Sequence, residues 1–288
     1  MLNIMNKKKY FFTLPIVIIL IGIVCFFTFG FNLDIDFAGG SEMMVDLKTP
    51  VVKDDVSKLF EDTLGFKVSA VQISLANENV ATLKSKTLTT EEAEKLWAAI
   101  KDKYTLEDSD RLSFDSVSPT VGKELGQAAL VSSIIAVILM LVYISFRFEF
   151  LSGVAAIIAL IHDVLIMLSV VLIFKLPINT TFIAAILTII GYSINDTIVV
   201  FDRVRENVKF ARRESFSDIA NRSVSQTITR SINTSVTTLI TIVMLYILGV
   251  DAIRDFAITL IVGIIAGTYS SIFIATPAWV MMRKEKKA

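Results

Sequence analysis

The chain has 288 residues, 54% of them hydrophobic and only 19% charged, with a mean hydropathy of +0.67. Soluble domains sit nearer about 45–50% apolar and about 25% charged, so this composition argues against a soluble enzyme, a disordered tail or a fibrous repeat. The 28 basic and 28 acidic residues cancel, which leaves no net field to recruit nucleic acid. One cysteine, Cys25, and one histidine, His162, exclude an internal disulfide framework, a Cys-based zinc site and a His-rich metal centre.

Crossing a bilayer takes about 20 consecutive apolar residues, and six such stretches occur, at 11–30, 127–146, 150–174, 178–201, 232–250 and 256–282. The first follows Lys7, Lys8 and Lys9. Its apolar run is too long for a signal peptide and no small-x-small cleavage site follows it, so it reads as a retained signal anchor. Residues 31–126 then form a separate domain carrying 11 basic and 18 acidic residues. Within it, 41–48 alternate as a strand, with Met43, Val45 and Leu47 on one face. Thr49-Pro50 predicts a helix N-terminus, Val52, Val56, Leu59 and Phe60 give the helical stripe, and Gly65 ends it. Residues 66–75 read as a strand whose alternation slips near Ala70-Val71, as at a bulge. A turn at 77–79 leads to a strand at 80–87. Thr89 with Glu92 forms a capping box for a second helix burying Ala93, Leu96, Trp97 and Ile100, and 111–117 is the last strand. The order β-α-β-β-α-β predicts a ferredoxin-like sandwich, a fold that implies no function by itself. No nucleophile, base or metal cluster stands out within it, so the domain reads as a docking or clamping module.

The predicted fold class is therefore a membrane α-helical protein with one α+β ferredoxin-like domain between its first and second spans. The domains run 1–30, 31–126, 127–282 and a basic tail at 283–288. Placing the N-terminus in the cytoplasm puts fifteen Lys and Arg on inner segments, against only Lys175 and Arg254 in the short outer loops. The positive-inside rule then makes both termini cytoplasmic and the ferredoxin-like domain extracytoplasmic. The inner segment 203–230 contains Phe216, Ile219, Ser223, Val224 and Ile228 at amphipathic spacing, which predicts a helix lying on the membrane surface. Gly263 and Gly267 form a GxxxG, expected to let helices pack closely.

Polar groups at bilayer depth carry the functional signal, because a charge there costs from about 3 to over 10 kcal/mol. The third span holds His162-Asp163 near its middle. The fourth holds Asn195-Asp196, with Asp196 in the inner half of the hydrocarbon. The fifth opens with Thr227, Thr229, Arg230, Ser231, Asn233, Thr234, Ser235, Thr237 and Thr238. Such a density of hydroxyls beside a buried carboxylate fits a wet path, although each can also satisfy itself on its own backbone. Low dielectric favours a neutral carboxyl and a nearby guanidinium favours an ionised one, so Asp196 and Arg230 form a candidate proton relay, with His162, Asp163, Asn195, Asn233 and Thr234 as supporting polar residues. The bland readings stand beside it: Asp196 and Arg230 as a static brace, Arg230 snorkelling to headgroups, and His162-Asp163 as a satisfied pair tying helices together.

The run GYSINDTIVVFDRVREN (191–207) resembles the fourth-helix signature of the SecD/SecF family of protein-export membrane subunits. LIHDVLI (160–166) is similar to that family's third helix. DFAGG, with Asp36, Phe37, Gly39 and Gly40, resembles its Asp-Phe-x-Gly-Gly motif. The resemblance covers essentially the whole chain. It implies half of a resistance-nodulation-division architecture, with SecD supplying the other six helices from a separate polypeptide. It further implies a role with the SecYEG channel, SecA and a YajC-type accessory subunit, in which proton entry helps draw an exported polypeptide across the inner membrane. By the same resemblance, Asp196 and Arg230 carry the proton. No cofactor is implied; the proton is the coupling ion, and sodium could replace it. Two other functions remain open from the residues: a proton-coupled exporter of small molecules, and a passive scaffold for translocon assembly. An enzyme is not expected, since no nucleophile–base arrangement or phosphate loop appears.

Overall fold

The structure, a computed structural model, describes residues 4–74, 77–147, 149–211, 214–249 and 251–283. The chain divides into two compact units, Met1–Asn32 with Ser132–Ala288, and Leu33–Val131.

The second unit is the expected ferredoxin-like sandwich. Strands β1 (Gly40–Asp46), β2 (Ala70–Ile73), β3 (Val80–Ser85) and β4 (Arg111–Val117) form one antiparallel sheet in the order β2-β3-β1-β4. Helices α3 (Lys53–Leu64) and α4 (Thr90–Tyr104) bury Val56, Phe60, Leu96, Trp97 and Ile100 against Met43, Val45 and Leu83 of the sheet. The Thr89–Glu92 capping box is present, and Gly65 closes α3 in the left-handed conformation its missing side chain permits.

Three local expectations change. Helix α3 starts at Lys53 rather than at Pro50, because the Val51 amide is already given to the Glu78 carbonyl and Val52 after it is extended. Strand β2 is shorter than 66–75, and its pairing with β3 runs without a break. The register shift falls instead between Met44 and Val45, opposite β4. Residues 75–76, the expected end of β2, lie outside the described residues.

The DFAGG motif has a local physical reason. Asp34 caps the short turn α2 (Ile35–Ala38) by accepting from the Ile35 amide. Gly39 and Gly40 follow with φ of +75° and +139°, where a side chain is strained. A Cβ on Gly39 would also collide with Pro119, and one on Gly40 with the Ser85 carbonyl.

The first unit carries five of the candidate spans and the C-terminal part of the sixth. Six helical segments are long and apolar enough to cross a membrane: α1 (Lys8–Phe29), the Pro119–Ile144 part of α5 (Pro119–Arg147), α6 (Phe150–Phe174), α7 (Thr180–Phe210), α8 (Phe216–Leu248), and the last as Ile253–Met282. The last is a composite of α9 (Asp251–Ser270), a π-helical turn (Ser271–Ala275) and α10 (Thr276–Met282). Helix α5 begins at Pro119, ahead of the expected 127, and the second unit runs to Val131 rather than 126.

The segment 203–230 is corrected more substantially. It is no membrane-lying helix. Helix α7 continues to Phe210, and α8 starts at Phe216 as one rod with its span. Ile219, Ala220, Ser223 and Val224 are buried, Ala220 and Val224 against Val200 and Ile272. Asn207 donates to the Ser223 hydroxyl (2.8 Å) and to Gln226 Oε1 (2.9 Å), zipping the two helix ends together. The amphipathic stripe therefore faces protein, because the neighbouring α7 offers an equally amphipathic partner.

Glycine sets the closest approaches. A Cβ on Gly263 would collide with Ile189 and one on Gly267 would press on Ser193, so α9 lies against α7 as the GxxxG predicts. Gly22 lets α1 reach Ser169 of α6 in the same way.

Candidate functional site

Apart from Asp36 of the DFAGG motif, the polar residues singled out in the sequence lie on membrane-spanning helices, and the bundle sorts them into two carboxylate centres and one outward face.

The first centre is Asp163, fully buried on α6. His162 Nδ1 lies 2.9 Å from its Oδ1. The hydroxyls of Ser193 (2.5 Å) and Ser270 (2.9 Å) donate to its Oδ2. Side chains from α6, α7 and α9 thus converge on one carboxylate. The His162 ring lies parallel to Tyr269, 6.2 Å away.

The second centre is Asp196 on α7, three residues and just under one helical turn beyond Ser193. Its Oδ1 accepts from the Ser231 hydroxyl of α8 at 2.6 Å. Its Oδ2 is buried and makes no hydrogen bond. The carboxylate is thus anchored by Ser231, with the Ser271 hydroxyl and the Arg230 guanidinium as its further polar and charged neighbours.

The π-helical turn lies between the two. Two successive serines at its start point to different neighbours: Ser270, the last residue of α9, to Asp163, and Ser271, the first of the turn, to α7, where its hydroxyl accepts from Thr197 (3.1 Å). Such insertions occur often at functional positions. Further along α8, Ser235 bonds Thr268 of α9 (2.5 Å) and accepts from Tyr192 (3.4 Å).

Helix α8 thus has two polar faces. Ser231 and Ser235 turn inward and bond across helices. Arg230, Asn233, Thr234 and Thr237 are exposed in this chain, as is Asn195 of α7. Thr234 and Thr237 return their hydroxyls to their own helix, at Arg230 and Asn233. Among the described residues no ion pair joins Arg230 to Asp196, although Ser231, the next residue, touches that carboxylate. The structure therefore brings Asp196 together with Ser231 and His162 with Asp163, leaves Arg230 near Asp196 without an ion pair, and among the described residues gives Asn195, Asn233 and Thr234 no bond to either carboxylate. Sequence reasoning missed Ser270, Ser271 and Thr197. The available signal was the Ser-Ser pair inside an apolar helix.

Comparison with known proteins adds the family. Residues 98–285 match the model of the SecD/SecF protein export membrane proteins, C-terminal region. A protein translocase subunit SecF of Sebaldella termitidis is 39% identical over 293 residues, which is 99% of this chain and 93% of that protein. The chain belongs to the SecF family. The SecDF translocase subunit of Bacillus subtilis is 41% identical over 95% of this chain, which corresponds to 37% of its own length. A crystal structure of SecDF from Thermus thermophilus, described as a translocon-associated membrane protein, superposes with a TM-score of 0.88 at 34% identity. The match covers 97% of this SecF-family chain and 38% of that one. Against SecDF in its super-membrane-facing form the TM-score is 0.70.

Proposed function

We propose that this chain is a subunit of the Sec protein-translocation machinery that, together with a SecD half, uses the proton motive force to promote late stages of polypeptide export across the inner membrane. Its relatives are translocase subunits, and the SecDF proteins carry a matching segment within a chain more than twice as long. That supports a second half lying against the exposed polar face of α8, where Arg230, Asn233 and Thr234 have no place in hydrocarbon. The SecYEG channel, SecA, a YajC-type subunit and the exported polypeptide are the further partners of this reading. Both termini lie in the cytoplasm by the excess of Lys and Arg on the inner segments.

The observation that carries the proposal is Asp196, held by one hydroxyl and leaving its other oxygen bare and buried. A carboxyl so placed changes its ionisation when a cation such as the Arg230 guanidinium approaches or leaves. One charge moved through the membrane potential is worth about 2.3 kcal/mol per 100 mV, enough to bias a modest conformational step. The proton is the coupling ion in this reading, and no cofactor is required.

The test is Asp196→Asn in a preprotein-translocation assay with the gradient imposed and then collapsed. The amide keeps the shape and the acceptor for Ser231. Normal assembly with loss of the gradient-dependent stimulation is expected. Undiminished stimulation overturns the proposal, and replacing protons by sodium in the gradient identifies the ion.

A further inference from the structure

Four hydroxyl groups are enclosed where α7 meets the end of α9 and the π-helical turn: Ser193, Thr197, Ser270 and Ser271 are each at most 1% exposed. Consecutive helical residues stand about 100° apart, so the two adjacent serines address different carboxylates. Ser270 donates to Asp163 Oδ2 at 2.9 Å. Ser271 neighbours Asp196, whose Oδ2 is buried without a donor. The two serines also share an acceptor. The Gly267 carbonyl lies 2.7 Å from the Ser271 hydroxyl and 3.1 Å from that of Ser270. A hydroxyl has one hydrogen to give, so each serine divides its own between Gly267 and a carboxylate. On the α7 side, Ser193 donates to Asp163 (2.5 Å) and Thr197 to the Ser271 hydroxyl (3.1 Å).

We propose that Ser270 and Ser271 are positioning residues that couple the two intramembrane carboxylates, with the Gly267 carbonyl as the acceptor for which they compete. Hydrogen bonds to an ionised group are roughly twice as strong as those between neutral groups. When Asp196 is ionised, the Ser271 hydrogen turns from Gly267 to that carboxylate. Gly267 then draws more of the Ser270 hydrogen, and the bond from Ser270 to Asp163 weakens. When Asp196 takes up a proton, Ser271 returns to Gly267 and Ser270 to Asp163. Every hydroxyl hydrogen stays on its own oxygen, so the link carries a change of bonding and no proton. Among the described residues, the titratable and charged groups at the two carboxylates are Arg230 of α8 at Asp196, and His162 at Asp163 with the Tyr269 ring of α9 parallel to the imidazole. The inference rests on the reading of Asp196 as a group that changes its ionisation.

His162 is the only histidine of the chain, and its Nδ1, 2.9 Å from Asp163 Oδ1, reports on that carboxylate. The full chain, labelled with ¹⁵N-histidine and held in lipid nanodiscs, is titrated with acid. NMR follows Nδ1 while infrared spectroscopy follows the C=O stretch of protonated carboxyls. Asp196→Asn identifies the infrared band of Asp196 and leaves the imidazole's own titration in place. The expected result is a step in Nδ1 that coincides with the Asp196 band and is lost in Asp196→Asn. Ser271→Ala is expected to abolish this step while the Asp196 band still titrates. Ser270→Ala, which cuts the link at its other end, is expected to do the same, and the retained band shows in each variant that the bundle is intact. A step that survives either serine substitution, or an Asp196 band that titrates with no step at Nδ1, overturns the coupling and leaves the proton reading standing. A titration without any Asp196 band overturns both.

Discussion

Replacing Asp163 by alanine should loosen the bundle far more than replacing it by asparagine. The carboxylate accepts from His162, Ser193 and Ser270, which belong to three different helices. Alanine removes all three bonds. Ser270 has a fallback in the Gly267 carbonyl at 3.1 Å, so two donors are left unpaired in a buried place. At about 1–3 kcal/mol each, that comes to about 2–6 kcal/mol. The lower end is favoured, because interhelical hydrogen bonds in membranes average only about 0.6 kcal/mol. Asparagine keeps one acceptor oxygen for His162, and its amide can donate to a serine hydroxyl turned around to accept, so its loss should stay under about 1.5 kcal/mol. Reversible unfolding in bicelles, titrated with a denaturing detergent, measures both. If the alanine variant is as stable as the parent, or if both variants lose the same amount, Asp163 does not hold these helices together.

Further outcomes follow from single contacts. Gly263→Val drives a branched side chain into Ile189 and should lower bundle stability by about 1–3 kcal/mol. Gly191→Ala meets open space and should raise it by about 0.5–1 kcal/mol in the isolated chain; thermal unfolding in detergent compares the two. In the α+β domain, Lys84 bridges Asp34 (2.7 Å) and Glu42 (3.0 Å), all three side chains being at least four-fifths buried. Lys84→Met leaves two facing carboxylates without their cation and should cost about 3 kcal/mol, at the low end for broken buried pairs, read as faster hydrogen exchange in β1 and β3 of the full chain. Glu42 behaves unlike most carboxylates. Burial raises its pKa above the ordinary 4.5 despite the pull of Lys84. Its contribution to stability is therefore complete below about pH 4.5 and is lost as the pH rises through the raised value. Glu42→Gln should accordingly stabilise the domain at pH 7, with the gain vanishing below pH 4.5; an equal gain at both pH values would refute that account.

Much of this architecture was legible in the residues. Hydropathy found six spans because hydrocarbon imposes a length on each. Period-2 and period-3.6 patterns found the split β-α-β, because one face of every element packs on the same core. The segment 203–230 misled for a physical reason. An amphipathic stripe shows that a face is buried and does not say whether lipid or protein covers it. Thr49-Pro50 failed because a long-range pairing, Val51 to Glu78, outweighed a local start signal. At the site, Asp163 and Asp196 were visible because charge in an apolar run is costly wherever it falls. Ser270 and Ser271 were not, because serine at bilayer depth satisfies itself so easily that it leaves no mark in composition.

The five-residue π turn at Ser271–Ala275 fixes the angular phase between the two halves of the final span. An ordinary helix advances about 100° per residue, and the widened turn absorbs one residue outside that rhythm. Upstream, Gly263 and Gly267 face α7; downstream, Trp279 is fully packed against Phe201 and Phe216. Deleting a single residue from the turn would regularise the helix yet swing one of these seams away from its mate. Substitutions there should thus be tolerated more readily than changes of length, and the length of this one turn stands as a hereditary constraint on the whole C-terminal rod.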